Sequence, residues 1–167
     1  CYAAARLCSA AGSVEQGIQF AEEAIRLNPN HFASYHGLGT VYTQAGRSEL
    51  ALEPLTKAMQ LNPFGPELYR VLQMRACALF QLEKYEECIQ DAERANSVGN
   101  RTFWAYAMLP ICYSRLGMEA EKQSALDTLF RIHPHFSILF AEARAKRISQ
   151  IWVDLLVPSL RELGVPE

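Results

Sequence analysis

The chain has 167 residues, half of them hydrophobic and a fifth charged, which is enough to bury a core in one or two domains. A formal net charge of −2 makes no electrostatic case for nucleic acid or an anionic membrane surface, and no apolar run approaches the roughly 18 residues of a membrane helix. The five cysteines are odd in number and include no C-x-x-C pair, which argues against a disulfide framework and fits a reducing cytoplasm better.

The chain opens on Cys1, without methionine or a basic leader, so it reads as an excised domain or a processed product. Evenly spaced punctuation then runs along it. Gly12 to Gly46, Pro29 to Pro63, Glu83 to Gly117 and Asn100 to Pro134 are each 34 residues, whereas Gly46 to Glu83 is 37. Phe64-Gly65-Pro66 is the place for the three extra residues, as a longer connection or an extra helical turn.

In chain order, a first helix is predicted over 1–11 and a second over 13–27, with Gly17, Ala21 and Ala24 as small contact residues. In the next unit Tyr35, Leu38, Gly39 and Tyr42 fall at i, i+3, i+4 and i+7, one face of a helix. Gly39 has no side chain, so a second helix can approach it there, with Ala51 as the small residue it meets. Gly46 suits a positive φ between the two helices, Ser48 suits an N-cap, and Pro63 ends the unit. A third hairpin spans 67–97, with Leu72, Ala76 and Leu79 inward on one helix and Cys88, Ala92 and Ala95 on the other. A fourth spans 102–132. There Pro110 should kink the first helix, and Lys122, where a small residue is expected, should loosen the hairpin. Two more helices are predicted over 136–146 and 149–163. The last has an apolar side that includes Trp152, Leu155 and Leu156, and Pro158 should bend or restart it.

The aromatic-x2-Leu-Gly-x2-Tyr spacing at Tyr35, Leu38, Gly39 and Tyr42, followed by Ala51, Leu55, Ala58 and Pro63, resembles the tetratricopeptide repeat (TPR), as does A-L-F-Q-L-E-K-Y-E-E-C-I-Q-D-A around Tyr85. The resemblance implies an all-α, right-handed α-solenoid of about four helix–turn–helix repeats. The array covers 1–134, in repeats of about 1–29, 31–63, 64–100 and 101–134, and capping helices occupy 135–167. It also implies a non-catalytic scaffold for protein binding. From residue 62 onward, N-P-F-G-P-E-L-Y-R, H-P-H-F-S and the closing R-E-L-G-V-P-E resemble the C-terminal TPR segments of proteobacterial class III adenylate/guanylate cyclases and related winged-helix regulators. That resemblance implies a regulatory module of a larger signalling protein, or alternatively its dimerisation module.

In such an array the first helix of each repeat lines a concave inner wall. The residues expected there are Tyr2, Arg6 and Ser9 in the first repeat, and His36, Thr40, Thr43 and Gln44 in the second. Arg70, Gln73, Cys77, Phe80 and Gln81 follow in the third, and Trp104, Ala107, Ile111, Ser114 and Arg115 in the fourth. Arginine and aromatic side chains are typical interface anchors, so this wall suits a protein segment, and the arginines suit an acidic one. The Lys and Asn pair of the clamp that some TPR domains close on a chaperone tail is absent from the matching places. Cys77 is the thiol to test for reactivity. His133-Pro134-His135 has no further ligand at metal spacing, and no nucleophile elbow, H-E-x-x-H or dinucleotide loop occurs. No cofactor, metal or catalytic site is expected.

Overall fold

The computed structural model describes residues 14–99 and 102–167, and those residues form nine α-helices and no strand. They are α1 (Val14–Leu27), α2 (Phe32–Gln44), α3 (Ser48–Leu61), α4 (Leu68–Gln81), α5 (Tyr85–Ser97), α6 (Phe103–Arg115), α7 (Glu119–Ile132), α8 (Ile138–Lys146) and α9 (Gln150–Glu162). The helix expected over 1–11, and with it Tyr2, Arg6 and Ser9, lies outside the described residues.

Helices α2–α3, α4–α5 and α6–α7 pack as hairpins. Successive hairpins meet through α3 on α4 and α5 on α6, while α2, α4 and α6 also touch one another along the stack. This is the arrangement of a solenoid, in which one helix of each hairpin forms an inner layer and the other an outer layer. The apolar residues that alternate along these helices close the layers. Val41, Leu55, Leu72, Leu79 and Leu129 are all but completely buried.

Gly39 marks the tightest crossing, but its neighbour differs from expectation. A Cβ built there would stand 2.4 Å from Leu55 Cγ, so the Leu55 side chain, and not Ala51, fills the space the glycine leaves. One turn of α3 separates the two positions, and the longer side chain takes the gap.

The inner helices end alike. At the end of α2 the Arg47 N–H donates to the Tyr42 carbonyl and the Gly46 N–H to that of Thr43. The same pair of bonds recurs at Lys84 and Glu83 after α4, at Met118 and Gly117 after α6, and at Val165 and Gly164 after α9. This closure requires a left-handed residue, and φ is +74° at Gly46, +71° at Gly117 and +74° at Gly164. Glu83 adopts the same conformation at +57°, which explains why a glutamate keeps register with Gly117 in the spacing.

Ser48 is not the N-cap of α3. Arg47 holds that place, and the Ser48 hydroxyl instead donates to Gln81 Oε1 on α4. Gln81 Nε2 donates in turn to the Thr43 carbonyl at 3.1 Å, tying the second hairpin to the third. The connection between α3 and α4 runs over 62–67. Pro110 and Pro158 both lie inside helices that continue as single elements, so α9 does not restart at Pro158. Only Leu126 and Leu129 of α7 are buried.

The C-terminal pair packs on the fourth hairpin. Phe103 meets Phe136 and Phe140 with ring centroids 5.9 and 5.3 Å apart. The R-E-L-G-V-P-E ending does structural work here: Gly164 turns the chain, Val165 is buried, and the Pro166 carbonyl accepts the Ile138 N–H at 2.7 Å at the start of α8.

Candidate functional site

The inner wall is divided in two by the C-terminal helices. One part is an open trough of about 820 Å³ between the inner helices and the end of α8. Its floor carries His36, Thr40 and Gln44 from α2 and Arg70 and Gln73 from α4, with Trp104 from α6. Six of the seventeen residues expected on the wall therefore converge on one surface. Its far side comes from Phe140, Arg144, Arg147 and Ile148, which sequence periodicity did not connect to the wall. The basic last turn of α8 was the available signal.

The floor is pre-set by local bonds. Thr40 Oγ1 donates to the His36 carbonyl at 2.8 Å, and Thr102 Oγ1 donates to Gln73 Oε1 at 2.7 Å. His36 is buried, and burial, with the Arg70 charge second, holds its imidazole down to about 4, so it is neutral at pH 7. Arg70 lies with its guanidinium 5.6 Å from the Tyr69 ring centroid, and Arg144 sits 5.2 Å from that of Phe140. Among the described residues that line the trough there is no aspartate or glutamate, and Glu67 reaches Arg70 from outside it at 3.6 Å. The trough is thus cationic although the whole chain carries a net charge of −2.

The remaining candidates lie elsewhere. Arg6 is outside the described residues. Cys77 and Phe80 are buried, 4% and 5% exposed, because α9 lies over them. Arg115 is turned to α9, pairing with Glu162 at 3.0 Å and donating to Ser159 Oγ at 3.3 Å. These three do not line the open trough. Burial also pushes the Cys77 thiol up to about 12, so as placed it is protonated and unreactive. Cys88 and Cys112 are buried with their sulfurs 3.6 Å apart, and the Cys88 thiol is pushed well above its ordinary value by that hydrogen bond and by burial. Among the described residues no cluster of three His, Cys, Asp or Glu side chains could hold a metal, and no helix is long and apolar enough to cross a membrane.

A family model described as tetratricopeptide repeat matches residues 20–53, and a second of the same description matches 1–31 and 69–98. No curated protein matches the chain. Among solved structures, the crystal structure of MamA is 21% identical, with 92% of this chain and 90% of that one covered and a TM-score of 0.68. The MamA RS-1 ArsTM double mutant is 16% identical, with coverages of 96% and 90% and a TM-score of 0.71. YrrB, a TPR protein with an unusual peptide-binding site, is 20% identical, with coverages of 94% and 81% and a TM-score of 0.66. At these identities the likeness is one of fold. Helix pairing, the matched repeats and the shared architecture agree that this chain carries tetratricopeptide repeats, stacked as an α-solenoid.

Proposed function

We propose that the chain is a non-catalytic scaffold that captures an acidic segment of a partner protein in the open trough. The observation that carries this reading is the convergence of Arg70, Arg144 and Arg147 around a recess whose described lining has no acidic side chain. Arginine pairs with carboxylates through two parallel hydrogen bonds, and Trp104, Tyr69 and Phe140 add apolar surface between the charges. The volume falls within the roughly 300–1,000 Å³ of ligand-sized pockets, enough for a short stretch of polypeptide. A peptide-binding site in YrrB, a protein of the same fold, supports this use.

The resemblance of the C-terminal motifs supports a further reading, that the module serves regulation within a larger cytoplasmic signalling protein. To test the trough itself, a photo-crosslinking phenylalanine is placed at Tyr69 on the trough and at Glu53 on the exposed face of α3. Crosslinking to partner from position 69, lost in Arg70→Glu/Arg144→Glu, is expected. Capture from position 53 alone would reject the trough.

A further inference from the structure

The second part of the inner wall is already occupied. Helix α9 lies across it, with Trp152 2% exposed and its ring 5.6 Å from that of Trp104. At one end Ile151 reaches the turn of the second hairpin, where its Cδ1 would be 2.8 Å from a Cβ at Gly46. At the other end Leu155 and Ser159 face Phe80 and Arg115. An amphipathic helix laid apolar side down in a groove is a common mode of protein recognition, and here the helix belongs to the same chain.

We infer that this stretch of wall is a helix-binding surface, that α9 is its resident ligand, and that an amphipathic helix of α9's pattern on a partner exchanges for it. Three observations favour exchange over permanent union. The seam is incompletely filled: a void of about 30 Å³ lies among Cys77, Trp104, Ile148 and Trp152, and a cleft of about 520 Å³ runs along Phe80, Arg115 and Leu155. The Arg115–Glu162 pair that closes the far end is solvent-exposed and so holds weakly. Finally, the covalent linker Arg147–Ser149 and the hydrogen bond from the Ile138 N–H to the Pro166 carbonyl both tie α9 to α8 and not to the wall, so α9 can part from the wall while held to α8. The inference does not depend on what the open trough binds.

Cys77 reports the event, because it lies beneath α9 whereas Cys88 and Cys112 lie between α5 and α6. The full chain is treated with a thiol reagent under native conditions and each cysteine is read by mass spectrometry. In the unaltered protein Cys77 should react at least tenfold faster than Cys88 and Cys112. Trp152→Ala should raise the Cys77 rate at least a further tenfold with the other two unchanged. A synthetic peptide of residues 149–163 added in trans should reverse that rise, and a scrambled peptide should not. Equal rates for the three thiols in the unaltered protein, a joint rise of all three in the variant, or no protection by the peptide would each overturn the inference.

Discussion

Two single residues set local terms that can be measured. An alanine at Gly39 gains about 1 kcal/mol of helix propensity but drives its Cβ into Leu55, which is completely buried and cannot swing aside. The clash outweighs the propensity, so Gly39→Ala should lose about 1–2 kcal/mol in chemical denaturation. In a Leu55→Ala background the same change should cost nothing, and a Gly39→Ala protein as stable as the parent would refute the crossing. His36 supplies a pH signature. Its folded value of about 4 lies below the ordinary 6.5, so the unfolded chain takes up the proton first on acidification. The stability that neutral His36 confers is complete above pH 6.5 and is lost progressively as the pH falls towards 4, on the order of 3 kcal/mol in all. Denaturation curves at pH 7 and 4.5 should therefore differ more for the parent than for His36→Gln, and equal differences would contradict the assignment.

At the scale of elements, the hairpins are joined by polar ties as well as by apolar packing. Arg75 on α4 donates to Asp91 on α5 at 2.6 Å and reaches Thr56 on α3 at 3.5 Å. Asp91 is 5% exposed, and its carboxyl is pushed up by burial against the pull of Arg75. Arg75→Met strands that carboxylate and should cost about 3 kcal/mol, with Arg75→Met/Asp91→Leu regaining most of it, as read by urea midpoints. A stable single variant would show that the pair contributes little. The helices themselves were legible in sequence because a period of 34 residues repeats both the apolar faces and the left-handed turn, even where Glu83 replaces glycine. The placement of α9 was not legible. Its apolar side suits the end of the stack or the inner wall equally well, and only the Trp104–Trp152 and Gly46–Ile151 contacts decide between them. For that reason Cys77 and Phe80 read as groove residues in sequence but lie beneath α9 in the structure, Arg115 pairs with that helix, and Arg144 and Arg147 were not assigned to the wall. Neither Pro110 nor Pro158 ends its helix, because a helix packed on its neighbours can lose one backbone bond and continue.

For the whole molecule, the stack makes a curved wall and the C-terminal pair partitions it into a filled half and a cationic half. Charge separation of this kind, against an overall −2, selects ligands by sign and makes their capture salt-dependent. The most direct test is an unbiased selection of displayed random peptides on the full chain, repeated on Arg70→Glu/Arg144→Glu. Enriched peptides rich in aspartate and glutamate that bind the parent at least tenfold more tightly than the variant, and less tightly as salt rises, are the predicted result. Enrichment of uncharged or basic peptides, or peptides held equally by both proteins, would contradict the account.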